Sequence, residues 1–490
     1  MSQPPPIVPS RDMESEEFRR LSGEVADWIT RYLSEVGGLA VLPEIEPGSL
    51  RAALPPDPPL RGEPLDDVLD DFRQLVVPAN THWAHPAFFA YFASSGSGPG
   101  ILGETLAAAL NANAMVWRSA PAATELEGLT MEWLAKLVGL PPTFEGVIND
   151  TASSSTLYAL AAAREQAWPR AHREGLFGLP RGRVYASEHA HASVEKAVLV
   201  LGLGQQGYRS VAADEDFRMD PSALRTALEE DRGSGVRPVA VVATLGTTSS
   251  GALDPVAEIA DVAADFGTWL HVDAAYGGPA AMLPELEHRF RGWERADSLV
   301  LNPHKWLFTP IDCSALYCRR ADVLKRAFSI VPEYLRTAET GRARDLMDYG
   351  ISMGRRFRAL KLWFVLRWFG REGLQEVLRG HLALASWLAD RVLETPGWEL
   401  ATPVHLGLVC LRHVPTGASD EEADEVNASI MDRVNRSGEA FLSHTRLRGR
   451  FVIRVAIGSV RTTSAHVERL WQLLQSAAEA EGQASRAGGA

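Results

Sequence analysis

Cysteine is scarce in this chain: three residues, Cys313, Cys318 and Cys410, among 490. So few exclude a disulfide framework and fit a protein expected to work in a reducing cytoplasm. Long apolar runs are missing too. None approaches the roughly 20 residues that a membrane-crossing helix needs, so no membrane partner is expected. The opening MSQPPPIVPSRDMESEEF lacks the charged-then-apolar pattern of a secretory leader, and a cytoplasmic location is the expectation. Positive charge is in deficit, 49 Lys and Arg against 62 Asp and Glu, for a formal net charge of −13. That balance disfavours a general nucleic-acid binder or a partner for anionic membranes. What remains is a globular composition, 46% hydrophobic and 23% charged, on a chain longer than one core usually serves.

The pattern along the chain divides it in three. Residues 1–12 are rich in proline. From Glu14 to Val36, Phe18, Leu21, Val25, Trp28, Ile29 and Tyr32 recur at a helical period, and a second amphipathic helix is predicted near Leu65–Leu75. This part, residues 1–97, has no strands with which to build its own core, so it is expected to lie across another surface, a second subunit being the natural one. Residues 98–376 alternate strand and helix: GVIND, RVYAS, PVAVVATLG, TWLHVDAA and SLVLN each end where a helix or turn begins. That predicts an α/β domain with a mostly parallel sheet and helices on both faces. Asp254-Pro255 reads as an N-cap followed by proline at the first helical position. Residues 377–490 change to a helix at 379–394, strands near 405–413 and 450–457, and a closing helix at 464–480, a smaller α+β domain.

Three stretches carry chemistry. In SLVLNPHKWLF, Lys305 follows a short apolar strand that Asn302-Pro303 breaks. Lysine is costly to bury, and the loop at a strand's C-terminal end is where α/β sheets hold ligands; the plainer alternative is a solvent-facing loop lysine. In WLHVDAAYGG, Asp273 ends another apolar strand, thirty-two residues before Lys305. One strand–crossover–strand unit of that length puts both groups at the same sheet edge. They are then either a structural ion pair or two ends of one cofactor. In NDTASSSTLYALAAARE, Thr151, Ala152, Ser153, Ser154 and Ser155 open a helix. Hydroxyls and free N–H groups at the positive end of a helix dipole suit a phosphate, although plain capping explains many such clusters. Thr247 and Thr248 offer a second set of hydroxyls. Phosphate donors, a strand-end carboxylate and a lysine together describe pyridoxal 5′-phosphate (PLP), the lysine holding its aldehyde and the carboxylate keeping its pyridine nitrogen protonated. His191, in SEHAHASVEKA, is the candidate ring to stack on it.

With these residues in hand, HVDAAYGG, NPHKW and THW…FFAYF resemble the fold-type I, group II PLP-dependent amino-acid decarboxylases, and among them the aromatic L-amino-acid decarboxylases. The resemblance runs from about Glu17 into the C-terminal domain. It implies a seven-stranded-type central sheet and a homodimer whose N-terminal helices wrap the partner. It makes Lys305 the Schiff-base lysine, Asp273 the pyridinium partner and His191 the stacking imidazole. Ala152, Ser153, Thr248 and Asn302 become cofactor contacts, with His304 beside the lysine–cofactor bond. Tyr334, in SIVPEYLRTAETGRARD, matches the loop tyrosine that protonates Cα after CO2 leaves; many aldehyde synthases of the family carry phenylalanine there.

The same resemblance places Tyr91, Phe92, Ala93 and Ser94 at the substrate side chain, with Asn113 and Met115 reaching in from the partner subunit. Gly354 stands where relatives acting on histidine or tyrosine often have serine, which leaves room for a bicyclic ring. Tryptophan is the expected substrate, with phenylalanine, tyrosine and dihydroxyphenylalanine secondary. Two stretches fit G-x-G-x-x-G, at Gly98-Gly100-Gly103 and Gly202-Gly204-Gly207. Neither sits between a strand and a helix with an acidic residue ending a second strand, so a nicotinamide-dependent oxidoreductase is disfavoured. His82/His85 and His189/His191 lack further ligands at metal-site spacing. An aminotransferase shares the lysine and the aspartate and is the nearest mechanistic rival.

Overall fold

In the computed structural model, which describes residues 12–330, 339 and 342–488, the strand–helix alternation becomes a seven-stranded sheet. Its strands are β1 (Glu145–Asn149), β2 (Gly182–Ser187), β3 (Tyr208–Val211), β4 (Arg237–Thr244), β5 (Trp269–Asp273), β6 (Ser298–Leu301) and β7 (Ser314–Cys318), in the spatial order β1-β7-β6-β5-β4-β2-β3. Neighbours from β3 to β6 pair in parallel, and β7 runs antiparallel between β6 and β1. The middle strands are apolar without alternation because both faces are covered. Val239 to Ala243 of β4 and Leu299 to Leu301 of β6 are almost wholly inaccessible. The alanines that distinguish helix Ala152–Ala167 have the same cause: Ala159 and Ala161 to Ala163 are buried, and small side chains let the helix lie close on the sheet.

A second, antiparallel sheet of four strands closes the chain: β8 (Trp398–Leu400), β9 (Leu408–His413), β10 (Ser443–Leu447) and β11 (Arg450–Ala456), ordered β10-β11-β9-β8. Helices Asp420–Arg436 and Ser464–Gly488 cover it; the first is opened by a capping box between Ser419 and Glu422. At the other end of the chain, helices Ser15–Glu35, Ser49–Ala53 and Leu65–Asp71 precede β1, and no strand is found among the described residues there. Leu21 alone of the long first helix is buried, while Phe18 and Val25 are exposed. Among the described residues no helix is long and apolar enough to cross a membrane.

Several sequence expectations change in three dimensions. The predicted helix at 379–394 is the second half of a longer one, Ala359–Glu394, broken at Gly370, whose φ of 62° glycine tolerates. Its first half is LKLWFVLRWF, too uniformly apolar to show a clean helical period. Asp254 is not an N-cap. The helix starts at Val256, and the Asp254 carboxylate instead accepts the N–H groups of Met219 (2.8 Å) and Thr244 (2.7 Å), joining two segments under the sheet edge. The first glycine motif turns out to be packing. A Cβ on Gly100 would stand 2.4 Å from Pro310 Cδ, and one on Gly103 would stand 2.7 Å from Lys361 Cα. Helix Gly98–Leu110 therefore lies directly on the backbone of helix Ala359–Glu394. The second motif is a turn, with φ of 77° at Gly202 and 70° at Gly204.

Candidate active site

Three parallel strands end side by side. Thr244 closing β4 is in register with Asp273 closing β5, and Asp273 with Val300 of β6. Beyond β6, Asn302 and proline start a single helical turn, Pro303–Trp306, that carries His304 and Lys305. The open start of helix Ala152–Ala167 and the β2 exit loop with His191 complete the ring of elements. They enclose a cavity of about 170 Å³ whose walls include Thr151, Ala152, Ser153, His191, Thr248, Asp273, Asn302, His304 and Lys305. Phe92, Thr244, Gly246, Ala275 and Tyr276 line it as well.

The helix start is not used up by capping. Thr151 occupies the N-cap position with extended backbone, but its side chain makes no capping bond. Ser155 turns inward, taking a hydrogen bond from Asn149 Nδ2 (3.1 Å) and sharing one with Ser314 Oγ (2.9 Å). Thr151, Ala152 and Ser153 are left to the cavity, beside N–H groups that have no intrahelical partner. The two neighbouring threonines separate in the same way. Thr247 is buried in its own turn against Ser250 Oγ (2.7 Å), whereas exposed Thr248 faces the cavity.

Burial pushes the Lys305 ammonium below its usual range; Asp273 opposes that shift and Arg454 reinforces it. The Lys305 amine lies 5.3 Å from the centre of the Phe92 ring. Behind it, Phe92, Tyr276 and Trp306 are stacked at centroid separations of 3.7 and 5.0 Å, a rigid back wall. His191 Nδ1 accepts the Ser193 N–H (3.2 Å) and meets Ser193 Oγ at 2.8 Å, which leaves the ring proton on Nε2. The surrounding protein lowers the His191 pKa, chiefly by desolvation, although the ring is exposed to the cavity. His304 is more deeply enclosed. Its Nδ1 accepts the Cys313 N–H (2.9 Å), and desolvation with the neighbouring Lys305 charge brings its pKa down to about 4. Both imidazoles are therefore neutral near pH 7.

These groups fit PLP. Thr244 Oγ1 and Asn302 Oδ1 are buried on the cavity wall with no hydrogen-bond partner. An orphaned buried polar atom costs on the order of 1–3 kcal/mol, so a ligand carrying complementary groups is what such a wall suits. The helix start offers an anion site, Asp273 a carboxylate for a protonated ring nitrogen, and Lys305 an amine for an aldehyde, its charged form disfavoured by burial.

Other residues singled out from the sequence lie elsewhere. Of Tyr91 to Ser94, Phe92 alone lines the cavity. Tyr91 is half exposed and packs outward against Trp83, Phe88 and Phe441, and Ala93 is buried in the core beneath the small sheet. Asn113 and Gly354 share a separate cavity of about 510 Å³ beside helix Gly98–Leu110. Met115 packs with Val116 and Met347. None of these three lines this chain's Lys305 cavity. Tyr334 lies outside the described residues.

Sequence reasoning passed over Thr244, Tyr276 and Arg454. Thr244 and Tyr276 stood inside or next to quoted motifs and needed only the register to be noticed. Arg454 gave no signal. It is an ordinary polar position in FVIRVA, yet it is buried, its Nη1 bonded to Ser443 Oγ (2.7 Å), its guanidinium 5.4 Å from the Phe92 ring centre and its Nε without a partner.

Comparison with known proteins agrees with this geometry. Residues 47–414 match the pyridoxal-dependent decarboxylase conserved domain. Tryptophan decarboxylase 1 of Oryza sativa subsp. japonica is 40% identical over 483 residues, 94% of each chain. Phenylacetaldehyde synthase of Arabidopsis thaliana is 38% identical over 475 residues, covering 95% of this chain and 96% of its own. A crystal structure of Oryza sativa TDC with PLP and tryptamine superposes with a TM-score of 0.94 at 38% identity, covering 96% of this chain and 100% of that one. With its sheet, its cavity and its sequence all agreeing, the chain belongs to the pyridoxal-dependent decarboxylase family.

Proposed function

We propose that this protein decarboxylates aromatic L-amino acids, tryptophan first, to the arylalkylamine and CO2. The observation that carries the reading is the convergence of Lys305, Asp273 and the open start of helix Ala152–Ala167 on one cavity. PLP, when bound, supplies the electron sink for the pair released as CO2 leaves. Lys305, whose charged form burial disfavours, would provide the amine that holds the cofactor aldehyde. Asp273 would keep a proton on the pyridine nitrogen of the bound cofactor. Ala152, Ser153 and Thr248 would hold its phosphate, Asn302 would add a polar contact, and neutral His191 would cover the ring without adding charge. His304 lies beside Lys305 and fixes the turn through Cys313. Tyr334 delivers a proton to the substrate Cα.

The substrate wall is shared between two copies of the chain. Asn113, Met115 and Gly354 do not line their own Lys305 cavity, and Asn113 and Gly354 sit beside helix Gly98–Leu110, where Leu102, Leu106 and Leu110 form an exposed apolar stripe. A homodimer that buries this stripe brings Asn113, Met115 and Gly354 to the partner's cavity, with Phe92 as the opposite wall. The division into 1–97, 98–376 and 377–490, with the first part wrapping the partner, and a cytoplasmic location belong to the same reading. Kinship with phenylacetaldehyde synthase favours one alternative, oxidative decarboxylation to the aldehyde. Tyr334 argues for the amine. Incubation with tryptophan, phenylalanine, tyrosine and dihydroxyphenylalanine, reading amine, aldehyde, α-keto acid and CO2 separately, tests the proposal. Equal yields of amine and CO2, greatest with tryptophan, are expected; aldehyde, keto acid or a preference for glutamate or histidine refutes it.

A further inference from the structure

A buried guanidinium with no part in the proposed chemistry lies between the cavity of Asn113 and Gly354 and the strand that leads to Thr151. Arg355 and Glu127 are both enclosed, with Arg355 Nη2 at 3.0 Å from Glu127 Oε1. The fork of Arg355 is divided. Nη2 also donates to the carbonyl of Ile148 (2.5 Å), and Nη1 donates to the carbonyl of Leu346 (3.0 Å). Glu127 Oε1 in turn accepts the Ile148 N–H at 2.9 Å. The main chain of Arg355 is engaged as well: its N–H donates to Asn113 Oδ1 (2.9 Å), and its carbonyl accepts the Ala114 N–H (2.9 Å). A further bond, from Met347 N–H to the Met115 carbonyl (3.0 Å), braces the same corner.

One residue therefore ties together four segments: helix Pro121–Leu137 through Glu127, the end of β1 through Ile148, the strand of chain at Leu346, and the turn at Asn113. From Ile148 the backbone runs through Asn149 into Thr151, Ala152 and Ser153. A buried ion pair is a weak device for stability, since apolar residues of similar volume replace it at little cost. The planar fork has a different use: it holds two carbonyls and a carboxylate at fixed separations, which a lysine cannot do.

We propose that Arg355 and Glu127 are a positioning pair that sets the substrate wall of Asn113 and Gly354 against the phosphate turn of Thr151–Ser153, governing cofactor retention and the choice among aromatic rings without touching either ligand. The inference rests on the functional reading above. In the dimer proposed there, the pair links one protomer's phosphate turn to the wall that serves its partner, so disturbing it alters both cavities.

The test is Arg355→Lys in the full-length protein, which keeps a cation on Glu127 but cannot span both carbonyls. PLP affinity is measured by spectral titration, kcat and KM are measured for tryptophan and phenylalanine, and thermal unfolding is followed without cofactor. The variant is expected to unfold within a few degrees of wild type, to bind PLP about tenfold more weakly, and to change its tryptophan-to-phenylalanine KM ratio about threefold or more, with kcat little altered. Because one buried charge can decide folding, Glu127→Gln combined with Arg355→Gln leaves no buried charge to compensate and should show the same losses. Unchanged PLP affinity and KM ratio in both variants overturn the proposal. So do losses that merely follow a falling unfolding temperature. A wild-type protein that takes up no PLP at all overturns the functional reading, and this inference with it; wild-type uptake with indifferent variants overturns the positioning pair alone.

Discussion

At the scale of single residues, the site depends on which protonation states burial favours. Lys305→Ala removes the only group proposed to hold the cofactor covalently, so turnover and the visible absorbance of the lysine-bound cofactor should both vanish; normal colour with retained turnover would falsify the assignment. Tyr334→Phe removes the phenolic proton while preserving the ring. Its products should shift from amine towards aldehyde, ammonia and peroxide, and an unchanged amine yield would take Tyr334 out of the mechanism. Desolvation is the main cause that lowers the Lys305 pKa, and the Arg454 charge adds to it. Arg454→Met removes that repulsion, so the Lys305 pKa rises and a higher pH is needed to free the amine. The pH profile for PLP uptake by cofactor-free protein should move upward; a profile that stays put, or moves down, contradicts the electrostatic link. Lys305 and Asp273 could be singled out from their neighbours along the chain because strand ends are marked by local pattern. Arg454 could not, since only folding carries β11 under Phe92.

At the scale of elements, the helix Gly98–Leu110 has two unlike faces. One carries Gly100 and Gly103 and lies on Pro310 and Lys361, with no room for a Cβ. The other exposes Leu102, Leu106 and Leu110, at 62%, 49% and 63% of their accessible surface. A stripe of three leucines at four-residue spacing is an unusual thing to leave in water on one helix. If this stripe is the seam of the proposed dimer, Leu106→Glu should leave the protein monomeric in sedimentation where wild type is dimeric, with activity falling as Asn113, Met115 and Gly354 are withdrawn from the partner's cavity. A fully active dimer would move the interface elsewhere. The element-level reading of the sequence failed in the first half of helix Ala359–Glu394, where large apolar residues occupy exposed positions such as Trp368 as well as buried ones and so blur the period. It also failed at Asp254, where the residue type suited a cap and tertiary contacts took the carboxylate instead.

At the scale of the whole molecule, buried histidines set the acid limit. His85, His271, His304 and His381 are all buried, and desolvation lowers each to about 4. A folded pKa below the unfolded value of about 6.5 means that the stability each provides is present in full above that value and is lost as pH falls towards 4. At about 1.4 kcal/mol per unit of displacement, these losses are large beside a total stability of roughly 5–15 kcal/mol. Asp254 acts in the opposite sense. Burial raises its carboxyl to about 7, so its protonated form favours the fold at low pH and that contribution fades as pH rises through 7. The unfolding temperature should therefore peak near pH 6 to 7 and drop steeply towards pH 4. A flat profile between pH 4 and 7 would mean that these histidines are not held neutral.

The sequence by itself determined the α/β class, the order of the elements and which residues stand at the strand and helix ends that meet around Lys305. Strand periodicity, proline and glycine breaks, and hydroxyl-rich helix starts are local properties of the chain, and parallel strands put their C-terminal ends on one edge. The tertiary structure decided what depends on distant segments meeting: that Thr244 and Tyr276 join the cavity wall, where Arg454 lies, how Arg355 joins four stretches of chain, and that Tyr91 packs away from the cavity. Those relations are set by packing between surfaces remote in sequence, and a single chain read residue by residue holds no record of them.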